Sequence, residues 1–153
     1  MTHSDRRVAT VSRMTQTRYD EWEAQVHRSE RADALWRMEP YRLSRFLMPH
    51  AHFDATQLQR QPLGRPLVSQ LWRSEVSIPA NLAEGFSRGT GADRARFYEY
   101  ALGSTRECIV WYEGARRMLD DSIIEERLES LVRVKRLVLS ILPATRRVDV
   151  RNK

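Results

Sequence analysis

The chain has 153 residues, of which 41% are apolar and 30% charged, and its formal net charge is +6. This length and apolar content predict a single compact domain with a hydrophobic core. The lone cysteine, Cys108, excludes an internal disulfide, no Cys/His spacing suggests a zinc site, and no stretch approaches the roughly 18 consecutive apolar residues of a membrane-spanning helix.

The amino-terminal part, residues 1–31, is mostly polar and lacks a periodic apolar face, so we expect a flexible or loosely docked arm. Within it, Arg6 and Arg7 precede only a short apolar run that ends at Arg13, which disfavours a twin-arginine export signal. A lone cysteine also fits a reducing compartment. Together these features predict a cytoplasmic location.

Two helical segments follow the arm. The first is predicted from Ala32 to about Met48, with Pro49 as its stop, and residues 50–64 are expected to form a connection. The second is predicted over about 65–84. We expect Gly85 to end it in the left-handed conformation.

Two further helices are predicted beyond this point. Adjacent rows of apolar and small residues that begin at Phe97 and Tyr98 define the third, and Gly103 within it suggests close approach of a neighbouring backbone. The fourth is expected to begin at Ser122 and to end before Pro143.

No segment shows the alternation of a β-strand. Four helices with short connections predict an all-α fold, an antiparallel up-down four-helix bundle over residues 32–143, followed by a basic tail at 144–153.

A row of polar side chains accompanies Pro79 on one face of the second helix. Because buried polar groups need partners, we expect an internal hydrogen-bond network between this row and the third helix, led by a pair between Arg73 and Glu107. In the alternative interpretation, Asn81 and Glu84 bind a partner in a pocket or subunit contact. The predicted network consists of Arg73, Ser77, Asn81, Glu84 and Glu107.

The positive charge is concentrated at the carboxyl end. From residue 133 onward there are seven basic side chains and one acidic, Asp149, and this difference equals the net charge of the whole chain. Such a cluster attracts the phosphates of nucleic acid, although a solvated tail is the alternative. The predicted contacts are Arg133, Lys135, Arg136, Arg146, Arg147 and Arg151, with a second patch of Arg88, Arg94 and Arg96 at the turn before the third helix.

The sequence contains no convincing pattern of catalytic or metal-binding residues. His50, His52 and Asp54 include competent ligands, but residues two apart on a helix diverge by about 200 degrees. Cys108 falls in an apolar row, which favours a packed side chain over a nucleophile. The sequence contains neither a phosphate-cradling glycine loop nor a hydrolase elbow. We therefore predict no enzyme activity, no cofactor and no metal.

The segments Ser77–Phe86 and Arg96–Ser104, followed by Glu107, resemble the signature of the bacterial four-helix-bundle protein family. Its members are also known as ribosomal-RNA intervening-sequence proteins and are related to accessory proteins of diversity-generating retroelements. The likeness covers about residues 32–143, and Glu75 departs from the small residue that members commonly carry. It implies an up-down bundle assembled into a ring-like homopentamer, without a catalytic activity attached to the fold. The retroelement relatives are basic, bind nucleic acid and associate with a reverse transcriptase.

The leading functional hypothesis is a non-enzymatic oligomeric helical bundle that binds RNA or DNA through a basic surface, as an accessory factor of a nucleoprotein machine such as a reverse transcriptase. The competing hypothesis is a protein-interaction scaffold that does not bind nucleic acid. Salt-sensitive retention of RNA distinguishes the two, because phosphate contacts weaken as salt increases.

Overall fold

The computed structural model describes residues 18–147, and its regular elements in that range are all helices. The all-helical prediction is confirmed for this part of the chain. Residues 1–17 and 148–153, which include Arg151 and much of the predicted arm, lie outside the described residues. The chain divides into two compact units, Met1–Asp33 and Ala34–Lys153.

The described part of the first unit is largely helical, which the sequence did not predict. Residues 18–25 form one helical segment, in which the ring centroids of Tyr19 and Trp22 lie 5.6 Å apart. A second short helix, Arg28–Ala32, is capped by His27, whose side chain accepts a hydrogen bond from the backbone N–H of Ser29.

The second unit contains four long helices around a common apolar interior. It opens with a 3-10 helix, Ala34–Arg37. Helices α1 and α3 each pack against both α2 and α4, so that every long helix contacts two others. The long helices are α1 Glu39–Gln59, α2 Arg65–Phe86, α3 Gly91–Gly114 and α4 Asp121–Arg147.

The interior is built from apolar residues at helical spacing. In α4 the buried row predicted from the sequence is present from Ile124 to Val138, but the predicted Ile141 is only half-buried and Leu142 is buried instead. Within residues 18–147, no helix combines the length and apolar character that crossing a lipid bilayer would require.

Helix α1 is longer than the sequence predicted and continues through Pro49. Residues 50–59, expected to form a connection, are its last three turns. Proline inside a helix costs about 3 kcal/mol because it removes a hydrogen bond and crowds the preceding turn. Buried residues continue at helical spacing on both sides of it, at Phe46, Ala51 and Leu58, and this packing offsets the cost.

Gly85 does not end α2, since the helix continues through Phe86 and no glycine in residues 18–147 has a positive φ angle. Gly85 instead allows close packing: a Cβ atom there would lie 2.7 Å from Cε1 of the buried Tyr98 ring. Gly103 behaves in the opposite way, because a Cβ atom there would meet no heavy atom within 4 Å. The close approach predicted at Gly103 therefore occurs at Gly85.

This contrast predicts opposite effects of the same substitution. Gly85→Ala is expected to lower the free energy of unfolding by about 1–3 kcal/mol, because the buried Tyr98 ring leaves no room for a methyl group. Gly103→Ala is expected to raise it by about 0.5–1 kcal/mol, since alanine favours the helix and nothing collides with it. Urea denaturation measures both changes, and shifts of the same sign would contradict the packing at Gly85.

Helix α3 begins before its predicted start at Phe97 and ends at Gly114, short of the predicted apolar rows, which run to Met118 and Leu119, whereas α4 extends beyond its predicted bounds. Thr90 caps α3, because its Oγ1 accepts a hydrogen bond from the backbone N–H of Asp93 at 3.1 Å. Arg94 and Arg96, predicted in the preceding turn, therefore lie within the first two turns of α3. Helix α4 continues through Pro143 to Arg147.

Candidate functional site

Three of the long helices meet at a buried ion pair. Asp54 of α1, with a fully buried side chain, accepts a hydrogen bond at Oδ2 from Nε of Arg127 of α4 at 2.8 Å. The same Oδ2 accepts one from the Tyr112 hydroxyl of α3 at 2.9 Å. Nη1 of Arg127 donates to Oε1 of Glu126 at 2.8 Å. The arginine therefore has a carboxylate on each side although only 6% of its side chain is exposed.

Helix α2 adds a second buried acid, Glu75. Its Oε2 accepts a hydrogen bond from Sγ of Cys108 at 2.9 Å, whereas its Oε1 is buried without a hydrogen-bond partner among the described residues. Glu75 is 1% exposed and Cys108 fully buried. We call these groups the ionic cluster, to which every long helix contributes: Asp54, Glu75, Cys108, Tyr112 and Arg127.

Burial sets the protonation of the ionic cluster. It raises the pKa of Glu75 to about 7, although the hydrogen bond from Cys108 and the charge of Arg127 act in the opposite direction. Burial also raises the pKa of Cys108 and that of Tyr112 well above their ordinary values. Burial lowers the pKa of Arg127, but its hydrogen bond and charge interaction with Asp54 outweigh this effect. The thiol and the phenol therefore remain protonated at neutral pH.

The sequence contains a signal for this cluster. Asp54, Glu75 and Arg127 each fall in the buried apolar row of their own helix, where charged residues are rare unless paired. Opposite charges in the apolar rows of α1 and α4 can satisfy each other. The family resemblance marks Glu75 only as a departure from the common pattern, and the sequence prediction does not pair Asp54 with Arg127.

The five-residue polar network predicted from the sequence does not form. Ser77 and Asn81 do interact, since Nδ2 of Asn81 donates to the Ser77 hydroxyl at 2.9 Å, and the Ser104 hydroxyl of α3 donates to the same oxygen at 3.0 Å. The remaining three members, Arg73, Glu84 and Glu107, are exposed. They lie on the solvent side of their helices, where Arg73 donates to Gln70 and Glu84 pairs with Arg88.

The three side chains considered and rejected as metal ligands point in different directions from the helix that carries them. Nδ1 of His50 lies 2.9 Å from the Phe46 carbonyl oxygen, and His52 is exposed beside the Trp72 ring. Asp54 points into the ionic cluster. Among residues 18–147, no group of three His, Cys, Asp or Glu side chains is arranged to hold a metal ion.

The second half of α4 is strongly basic. Residues 130–147 include five of the predicted nucleic-acid contacts and no acidic residue. Within the described residues, Lys135 and Arg136 form no salt bridge, and Arg147 donates only to the Pro143 carbonyl oxygen, at 3.1 Å. Other predicted contacts are partly neutralised by ion pairs, namely Arg133 with Glu39, Arg96 with Asp93, Arg88 with Glu84 and Arg146 with Glu99.

One of these ion pairs joins the two predicted basic patches. Arg146, near the end of α4, contacts Glu99, two turns into α3. The same part of α3 carries Arg94 and Arg96, and Nη2 of Arg94 donates to the Arg88 carbonyl oxygen at 2.9 Å. We call the combined surface the basic end, which consists of Arg88, Arg94, Arg96, Lys135, Arg136, Arg146 and Arg147.

A family model described as 23S rRNA-intervening sequence protein matches residues 53–140. The chain belongs to this family. The matched range contains every residue of the ionic cluster, whereas Arg146 and Arg147 of the basic end fall outside it.

The fold of this intervening-sequence protein is also found in a solved structure. A crystal structure of a protein of unknown function from the S23 ribosomal protein family of Bacteroides thetaiotaomicron superimposes with a TM-score of 0.63, at 21% sequence identity, over 67% of this chain and 97% of the other. No curated protein matches the sequence.

A groove of about 350 Å³ lies between α1 and α2 of this intervening-sequence protein. Its walls are mainly apolar, and Phe53, exposed to 55%, lies beside His52 on the same turn of α1. The groove residues are His52, Ala55, Thr56, Gln59, Val68, Ser69 and Trp72. The sequence did not indicate this groove, because it depends on α1 continuing past Pro49.

Proposed function

We propose that this intervening-sequence family member is a non-enzymatic, homo-oligomeric protein of the cytoplasm that binds nucleic acid through the basic end. The ion pair between Arg146 and Glu99 carries the proposal, because it brings the basic half of α4 beside the arginines at the start of α3. Phosphates attract such a surface without any reading of sequence. The family name refers to 23S rRNA, so RNA is the first ligand to test.

The burial of the ionic cluster supports a structural role for it and a protein without enzyme activity. None of its five residues is more than 5% exposed, so a substrate has no access to the carboxylates or the thiol. Outside the ionic cluster, the Ser77 hydroxyl accepts hydrogen bonds from both Asn81 and Ser104.

The proposed architecture is an antiparallel four-helix bundle that assembles into a homopentamer. Connections of only four to six residues between consecutive long helices support the antiparallel arrangement. Exposed apolar side chains away from the basic end, such as Phe53 and Trp72, support burial against other copies. Light scattering that gives the mass of a monomer would reject the assembly and leave nucleic-acid binding to be judged separately.

Removing charge from the basic end is expected to weaken RNA binding. In the triple variant Lys135→Ala, Arg136→Ala and Arg147→Ala, the dependence of log Kd on log salt should become shallower by about 2, because roughly 0.7–0.9 counterions are released per phosphate contact. Fluorescence anisotropy with a labelled RNA, titrated between about 50 and 200 mM salt, measures this slope.

A triple variant of equal charge change serves as the control. This control removes three exposed arginines from other parts of the second unit, through Arg60→Ala, Arg65→Ala and Arg106→Ala. It should leave the salt slope unchanged. If both triple variants reduce the slope equally, binding depends on net charge and the basic end is not the site. Wild-type affinity that does not change with salt would reject phosphate-dominated binding altogether.

A protein-interaction scaffold is the second candidate function. The groove between α1 and α2, with Phe53 and Trp72 exposed near it, favours this candidate because apolar surface of this kind is typical of protein contacts. A partner such as a reverse transcriptase fits either function. If this protein still captures that partner after nuclease treatment, and after the charges of the basic end are removed, the scaffold is favoured.

A further inference from the structure

An aromatic pair with one exposed ring lies within the basic end. The ring centroids of Phe97 and Tyr100 are 5.7 Å apart and their planes are nearly perpendicular. Phe97 also contacts two arginines, since its centroid lies 4.6 Å from the guanidinium carbon of Arg88 and 5.6 Å from that of Arg96. Tyr100 is 52% exposed, so much of its ring faces solvent.

The two arginines beside Phe97 are partly neutralised by acidic neighbours. Arg88 pairs with Glu84, and Arg96 pairs with Asp93 at 3.2 Å. Their cation–π contacts also fix the Phe97 ring, and Phe97 in turn supports Tyr100. The arrangement therefore holds an exposed ring in one orientation.

Tyr100 is the sequence neighbour of the residue that joins α3 to α4. Glu99, which precedes it, contacts Arg146 near the end of α4. Lys135 lies on the same face of α4 as Arg146, about three turns earlier. An exposed aromatic ring is therefore one residue away from the contact between α3 and the basic half of α4.

We propose that Tyr100 stacks against an unpaired base of single-stranded nucleic acid whose phosphates contact basic side chains of α4. This proposal rests on the proposed function and names its ligand class. An aromatic ring can stack on any base, since every base has a π face, and basic grooves with exposed aromatics bind single strands in this way. In a duplex the neighbouring base pairs cover those faces, so Tyr100 has nothing to stack on.

Alanine substitution at Tyr100 tests the proposal with matched ligands. Anisotropy titrations use an unstructured strand of about 20 uridines, the corresponding thymidine strand, and a blunt RNA duplex of similar length. Tyr100→Ala should weaken binding of both single strands about five- to hundredfold while leaving duplex binding and the salt slope unchanged. Tyr100→Phe, which keeps the ring, should retain the wild-type affinity. The thymidine strand shows whether the 2′-hydroxyl contributes.

The control is Leu63→Ala, which removes an exposed apolar side chain from the connection between α1 and α2, outside the basic end. It should leave all three affinities unchanged. Stacking would be overturned if Tyr100→Ala lost affinity equally for single strands and duplex, or lost no affinity for the single strands. A changed oligomeric mass of Tyr100→Ala in light scattering would also overturn it. If the wild-type protein binds none of the three ligands, the proposed function itself fails, whereas duplex binding without single-strand binding rejects stacking alone.

Discussion

Replacing Arg127 with methionine is expected to lower the free energy of unfolding by about 3–5 kcal/mol, a large share of the stability of a typical domain. The change removes the guanidinium that contacts Asp54 and leaves a fully buried carboxylate with the Tyr112 hydroxyl as its remaining described donor. An uncompensated buried charge is far more costly than a lost surface contact. Urea denaturation followed by circular dichroism gives both the midpoint and the slope.

Two further variants separate a buried charge from ordinary loss of contacts. Arg133→Met breaks an exposed ion pair with Glu39 and should leave the urea midpoint within experimental error. The double variant Asp54→Leu and Arg127→Met should recover much of the loss, because it removes both charges of the buried pair. If the double variant is as unstable as Arg127→Met, packing rather than charge accounts for the effect.

Glu75→Gln is expected to remove a decline in stability between pH 4.5 and about 7. Because burial raises the pKa of Glu75 from 4.5 to about 7, the folded state holds a proton that the unfolded state releases, so this contribution favours folding below pH 4.5. It is lost progressively as pH rises through the folded pKa. The wild-type free energy of unfolding should fall by about 3 kcal/mol relative to the variant across this window.

The difference between wild type and variant is the quantity to measure, because other groups also titrate. Denaturation midpoints at intervals from pH 4 to pH 9 give the two curves. Cys108 and Tyr112 do not complicate this range, since burial raises the pKa of both groups well above their ordinary values. Parallel curves would show that Glu75 keeps its charge state throughout.

Helical periodicity predicted much of the fold, because it records which face of each helix is buried. The apolar row of α4 was read correctly from Ile124 to Val138. Prolines and glycines were less informative: Pro49 and Pro143 lie inside helices, and Gly85 accommodates the Tyr98 ring instead of ending α2. Local rules predict the cost of such residues, but only tertiary packing determines whether that cost is offset.

The polar residues were harder to assign because helical spacing places a side chain on a face without showing what opposes it. Ser77 and Asn81 were correctly grouped, whereas their partner in α3 is Ser104 and not Glu107. Asp54 and Arg127 are 73 positions apart in sequence, and recognising them as a pair requires knowing that α1 and α4 are neighbours. The basic residues were readily noted, but not their ion pairs.

The contact between Asp54 and Arg127 also fixes the axial register of the helices. If α4 slipped by one turn, Arg127 would move by about 5.4 Å and its hydrogen bonds to Asp54 would break, although leucines and valines could still meet other apolar side chains. Apolar packing alone tolerates such slips better than a charge pair does. If two copies of this chain exchanged their α4 helices, each incoming Arg127 would have to reach the same axial position beside Asp54. The ionic cluster therefore restricts which helices can replace α4 in the bundle.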